Sequence, residues 1–299
     1  MENKPKVIVI VGPTGSGKTS LALEIATRFQ GEIISADSRQ VYTRLDIGTE
    51  KITHEEMRGV RHHLIDVVDI NTVYTATDFK KDASIAIADI SSRGHIPIVA
   101  GGTFFYIDTL LEKIIPAPVA PNIELRARLE SQTPEELFLQ LQRKDPTRAS
   151  GIDIKNKRRL IRALEITDAI VTVPPVIAQT EYSYNVLTLG IITDKIELRK
   201  TLRTRAEQAL QRGLLEETKQ LLAAGISRAR LAEIGHEYKI VMRYIDGGLT
   251  DAQLIQKFEE KNWQYAKRQL MWLKRDKSIA WFARENCEAI FTRVEEFLT

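Results

Sequence analysis

The stretch VIVIVGPTGSGKTSLAL, residues 7–23, passes from an apolar run through a glycine-rich turn into the start of a helix. An unbroken β-branched run is what a strand buried on both faces of a parallel sheet requires. Beyond the turn, Leu21, Ile25 and Phe29 recur at helical spacing. The turn, Gly12-Pro13-Thr14-Gly15-Ser16-Gly17-Lys18-Thr19, satisfies the phosphate-loop pattern G-x-x-x-x-G-K-[ST] in the strand–loop–helix setting that the pattern needs. Its glycines let successive N–H groups converge on phosphate oxygens, and the helix N-terminus adds positive potential. Lys18 is expected along the phosphates, with the Thr19 hydroxyl as a ligand for Mg²⁺.

Working outward, EIISADS (32–38) reads as a second strand, HLIDVVD (63–69) as a third and IPIVAGG (96–102) as another central one. Between the last two, TDFKKDASIAIADISSRG (77–94) reads as a helix closed by Gly94. Strands alternating with helices predict an α/β fold with a parallel sheet, a P-loop NTPase-like core whose ligands gather at the carboxyl ends of the strands. Those ends carry the phosphate loop, Asp37 and Gly101-Gly102-Thr103. The pattern breaks at PAPVAP (116–121), and helical segments follow before VPP (173–175) and the strand-like NVLTLGII (185–192). The expected organisation is a core of residues 1–119 and 185–299 interrupted by a helical insertion domain, 120–184, with a C-terminal part helical throughout from Asp194.

Composition narrows the class. The single cysteine, Cys287, excludes an internal disulfide framework and a thiolate metal cluster, and fits a reducing compartment. No apolar run is long enough for a bilayer, and MENKPK is no signal peptide, so a cytoplasmic protein without membrane contact is expected. A net charge of +3 does not announce a nucleic-acid binder, but basic residues cluster in 143–162 and again in 266–277. Taken alone, each cluster reads as a solvated helix face. His62 and His63 are adjacent and on a strand would face opposite ways, which argues against a shared metal.

The usual companions of a nucleotide-binding loop are missing. No apolar strand ends in the acid of a Walker B motif, and there is no guanine-reading N-K-x-D. GTPase, motor and helicase readings lose ground. A small kinase using ATP remains, as does an enzyme that applies the loop to another phosphorylated substrate. Asp37 either takes a proton from an incoming nucleophile or caps a turn at the strand end.

The blocks ISADSRQVYTRLDIGTEK (34–51), HHLIDV (62–67), TATDFKKDA (75–83), IPIVAGGT (96–103), KRRLIRALEI (157–166), GLLEE (213–217) and AKRQLMWLKRD (266–276) follow the phosphate loop in order. Together they resemble the tRNA dimethylallyltransferases, also called isopentenyl-tRNA transferases, of bacterial type. The resemblance implies that the loop holds the diphosphate of dimethylallyl diphosphate as a leaving group. The prenyl carbon would pass to the N6 amine of the adenosine 3′-adjacent to the anticodon of a tRNA. By the same match Asp37 would be the general base, Thr103 would position the amine or diphosphate, and Arg205 would bind the diphosphate beside Lys18 and Mg²⁺. Asp37, Ser38, Arg39 and Gln40 would touch the target base and its neighbours. Arg126, Arg158, Arg159 and Arg162 would contact the RNA, the insertion and core clamping the anticodon stem-loop. A monomer with no obligate protein partner is expected.

On the residues alone, the preferred reading of Arg205 is a helix-surface cation paired with a nearby glutamate. Phe104 and Phe105 stand where the family has Gly-Leu, and either fill the core or reshape the prenyl channel. EIGHEYK (233–239) departs from the usual I-G-Y-[KR] and carries no expected role. Besides the kinase, a tRNA-binding protein that kept the fold without catalysis is the remaining alternative.

Overall fold

In the computed structural model, residues 4–170 and 183–299 are described. The first strand, β1 (Lys6–Val11), shows why the opening run decides the fold. Val7, Val9 and Val11 pack into one core while Ile8 and Ile10 pack into the other, all no more than 2% exposed. Side chains alternate across a strand, so a sheet covered on both faces needs every position apolar. At roughly 1.5–3 kcal/mol for each fully buried aliphatic side chain, this strand anchors both layers.

Along the chain, α1 (Lys18–Phe29) leads to β2 (Gly31–Ser35) and β3 (His62–His63), then α2 (Ala76–Ser92), β4 (Ile96–Ala100) and α3 (Phe104–Leu110). The helices α4 (Ile123–Glu130), α5 (Pro134–Lys144), α6 (Pro146–Ser150) and α7 (Lys157–Ala169) follow, before the chain returns as β5 (Asn185–Ile192). It ends with α8 (Lys195–Gln211), α9 (Leu214–Ala223), α10 (Arg228–Ile234), α11 (His236–Ile245), α12 (Asp251–Leu273), β6 (Ala280–Ala283) and α13 (Cys287–Leu298). The sheet order is β3-β2-β4-β1-β5-β6, every pair parallel. Ile8 lies opposite Ile98 on one side and Leu187 on the other. β1 therefore sits where the order of strands reverses, and the loop leaving it opens into the crevice where such sheets bind ligands.

Two expectations about elements are corrected. The third strand is only His62–His63, because Leu64 (φ 62°) and Asp66 (φ 56°) adopt left-handed backbone that ends an extended run. The Asp66, Val67 and Val68 amides donate instead to Gln40 and Val41 carbonyls, so the segment braces the loop after β2. The C-terminal part is not helical throughout: β6 pairs with β5 at the sheet edge, with Trp281 beside Gly190. Four residues are too few for a periodicity to be read.

The chain divides into two compact units, the second beginning at Ile114, before the expected boundary at 120. The reason is anchoring: Leu111 is still buried in the first core, and Lys113 pairs with Asp276 at 2.5 Å. The return strand starts at Asn185 as expected, while the Val-Pro-Pro stretch at 173–175 lies outside the described residues. Within the second unit, Leu125, Leu129, Leu137, Leu141, Leu160 and Leu164 form a core of their own. Each of its four helices has an N-cap side chain, from Asn122, Thr133, Asp145 and Asn156, satisfying a first-turn amide. Among the described residues no helix is long and apolar enough to cross a membrane.

Candidate active site

The loop between β1 and α1 leaves its donors open. Gly17 caps α1 at φ 85°, a conformation that strains any other residue, and no side chain caps the helix. The Gly15, Gly17, Lys18 and Thr19 amides consequently have no partner among the described residues. The buried Ser16 hydroxyl has none either. Amides left open at a helix N-terminus are what a bound anion engages. Lys18 Nζ donates to Pro13 O at 2.8 Å, folding the side chain over the loop. Burial, then the neighbouring Arg205, lower the Lys18 ammonium to a pKa of about 7, against the opposing pull of Asp37 and Glu50. A ligand carrying negative charge would restore its proton.

The facing wall comes from the ends of β2 and β4. A Cβ at Gly101 would lie 2.1 Å from the Ala36 carbonyl oxygen, so only glycine lets these two strand ends approach. Thr103 N donates to Ala36 O at 3.1 Å, and Thr103 Oγ1 accepts from Ser38 N at 2.9 Å and donates to Ser38 Oγ at 3.2 Å. Asp37 Oδ1 accepts from the Arg39 amide at 2.9 Å and more weakly from that of Gln40. One Asp37 oxygen therefore caps the turn, as the turn-capping reading has it, while the other, Oδ2, is left without a protein partner among the described residues. Phosphate loop, Asp37 and Arg205 line one cavity of about 360 Å³, the size of a small-molecule site.

Not every expected residue reaches that cavity. Thr14, Gly15, Gly17, Lys18, Thr19, Asp37, Arg39, Gln40 and Arg205 line it, whereas Gly12, Pro13, Ser16, Ser38 and Thr103 stand behind it. Arg39 and Gln40, expected at the target base, line the cavity while also bonding within the protein. Arg39 Nη1 lies 2.5 Å from Glu237 Oε2, the side chains 20% and 12% exposed. Burial opposes charge on Glu237, yet Arg39 outweighs it and holds the carboxyl below its ordinary range. Gln40 accepts from Ser35 Oγ and donates to the Thr49 and Glu50 carbonyls. Arg205 pairs with Glu50 at 2.5 Å, as the residue-level reading allowed, while still facing the cavity.

Several residues at the site carried no expected role. Gln269 accepts from Thr14 N at 2.8 Å and donates to Gly102 O at 2.9 Å, one side chain linking the loops after β1 and β4. Glu217 accepts the Asp46, Ile47 and Gly48 amides and the Tyr238 hydroxyl, which fixes the D-I-G-T block. Gly48 is required there, since a Cβ would lie 2.5 Å from the Tyr238 ring. Glu237 and Tyr238 belong to the block set aside as atypical; their burial was the missing signal. His63 bonds Glu32 at 2.7 Å and His62 bonds the Val60 carbonyl. Phe104 is buried in the core and Phe105 is exposed, and neither lines the cavity.

In the helical unit the four arginines divide. Arg126 and Arg162 both grip Glu165, which is 1% exposed. Burial pushes Glu165 up, but Arg126, the Asn122 amide and Arg162 prevail and hold it at about 2. Arg158 and Arg159 are exposed on α7 and form no ion pair among the described residues.

No cluster of three or more His, Cys, Asp or Glu side chains among the described residues could hold a metal alone. The exposed Thr19 hydroxyl and Asp37 line the same cavity, a donor set that fits a Mg²⁺ completing its shell with water and phosphate oxygens.

Residues 40–276 match the family described as IPPT, IPP transferase. A tRNA dimethylallyltransferase of Thermomicrobium roseum is 41% identical over 94% of this chain and 87% of that protein. A tRNA dimethylallyltransferase 1 of Citrifermentans bemidjiense is 40% identical over 99% of this chain and 98% of that protein. Among solved structures, a tRNA isopentenylpyrophosphate transferase of Bacillus halodurans gives a TM-score of 0.73 at 34% identity, covering 99% and 97% of the two chains. A eukaryotic dimethylallyltransferase acting on tRNA gives 0.70 at 30% identity, covering 90% of this chain and 70% of that one.

Proposed function

The chain belongs to the IPP transferase family, the tRNA dimethylallyltransferases, and we propose that it prenylates tRNA at the adenosine 3′-adjacent to the anticodon. The donor is dimethylallyl diphosphate and the acceptor is the exocyclic N6 amine. A bond forms between that nitrogen and the allylic carbon, the carbon–oxygen bond to diphosphate breaks, and the amine proton leaves. The observation that carries this reading is the opposition of unpaired loop donors to the one free oxygen of Asp37 across a single cavity.

The chemistry needs both sides. An adenine amine is a weak nucleophile because its lone pair is delocalised, so it must be aimed and relieved of its proton. Asp37 Oδ2 takes that proton, its carboxylate held in place by the Arg39 amide. Thr103 acts through Ser38 as a positioning residue. Lys18, the loop amides and Arg205 receive the charge that develops on the departing diphosphate. When bound, Mg²⁺ adds charge neutralisation on those oxygens, held by Thr19. On the helical unit, Arg158 and Arg159 meet RNA phosphates, while Arg126 and Arg162 hold the unit together around Glu165.

The test is tRNA carrying unmodified adenosine beside the anticodon, incubated with labelled dimethylallyl diphosphate and Mg²⁺, with ATP and no prenyl donor in parallel. Label transferred to that adenosine and lost in Asp37→Ala supports the reading. Turnover of ATP without prenyl transfer would mean a kinase, and tRNA binding without label a catalytically silent binder.

A further inference from the structure

The Arg205–Glu50 pair places a second carboxylate, besides Asp37, beside the cationic and amide donors of the phosphate loop. Both side chains are about one-third exposed, at 35% and 34%, and both line the cavity that contains Lys18 and Asp37. The Glu50 backbone is held deliberately. It sits at φ 53°, left-handed and uncommon for a non-glycine residue. Its amide donates to Ile47 O at 3.1 Å, and its carbonyl accepts from Gln40 Nε2. The carboxylate is close enough to Lys18 to support the charge of that lysine.

Glu50 and Arg205 also line a second cavity on their other side, of about 360 Å³, together with Arg58 and Arg212. Both of these arginines are exposed and form no ion pair among the described residues. The carboxylate therefore has an alternative basic environment if it releases Arg205.

Resting on the function proposed above, we infer that Glu50 is a resident counter-ion of the diphosphate site. It holds Arg205 until the diphosphate of the donor displaces it, and it competes again for Arg205 when diphosphate leaves. A surface-type ion pair of this exposure is weak enough to exchange, whereas a carboxylate left against the diphosphate would repel it. The device weakens donor and product alike. It thereby favours release of the product after the allylic bond has broken.

The experiment is calorimetric titration of the intact protein with inorganic pyrophosphate and Mg²⁺, at about pH 6 so that Lys18 is charged throughout. Glu50→Gln and Glu50→Ala should each bind pyrophosphate about tenfold more tightly than the wild type, equivalent to about 1.4 kcal/mol. Arg205→Gln should bind more weakly, and adding Glu50→Gln to it should give little further change, because the two effects share one interaction. Unchanged affinity in both Glu50 variants would overturn the inference while leaving the proposed function intact. A full tenfold gain that persists without Arg205 would also overturn it, since Glu50 would then act by repulsion alone. If the wild type binds no pyrophosphate, the proposed function falls and the inference with it.

Discussion

The loops that follow β1 and β2 face the same cavity and use their polar groups in opposite ways. In the first, the amides around Lys18 and the Ser16 hydroxyl have no partner among the described residues. In the second, Ser38 is tied to Thr103, Arg39 Nη1 to Glu237 and Gln40 to Ser35 and two carbonyls, while Asp37 Oδ2 has no partner among the described residues. The first loop is a receptacle. The second is a rigid mount for one oxygen, and rigidity matters because proton transfer in a crowded site tolerates little misplacement. On the proposed function, the Asp-Ser-Arg-Gln block serves catalysis chiefly through what it holds still.

The largest effect that can break this contrast is at the free oxygen. Asp37→Asn should lower the rate of prenyl transfer by roughly 10²–10⁴-fold while pyrophosphate still binds in calorimetry. A modest loss of rate would move the base elsewhere. Next, Glu237→Gln should leave the partly buried Arg39 guanidinium without its counter-charge, costing about 1–3 kcal/mol in urea unfolding. Were stability retained and activity lost, Arg39 would belong to the substrate after all, and the second loop would be a receptacle too.

The helical unit offers the same contrast in smaller form. Replacing Arg158 and Arg159 together by Ala should weaken tRNA binding about tenfold and flatten its dependence on salt, with no change in unfolding. Arg162→Ala should do the reverse, lowering stability because Glu165 loses a partner. The smallest effect expected is with pH. The Lys18 pKa of about 7 lies well below that of an ordinary lysine, so raising pH from 7 to 8 removes its proton in the free protein. Pyrophosphate must then recruit that proton on binding. Its affinity should fall roughly fivefold over that unit relative to Lys18→Met, read by calorimetry.

Much of the framework was legible in local pattern. β1, β4 and β5 stand where their apolar runs predict, and the Gly12–Thr19 loop lies between β1 and α1. What escaped was short or long-range. β6 is four residues of an edge strand, and His62–His63 is a strand cut off by left-handed Leu64. The atypical 233–239 block looked uninformative, yet Glu237 and Tyr238 are the buried posts behind Arg39 and Glu217.

By itself the sequence determined the alternation of elements, the phosphate loop and the family resemblance, because these rest on periodicities and spacings within a few turns of chain. Only the tertiary structure decided which charges remain free. The partner of Arg39 is 198 residues away, that of the Thr14 amide 255, and Arg205 meets Glu50 across the cavity. A guanidinium or amide has the same letter whether it is paired or open. Packing alone brings up the group that engages it.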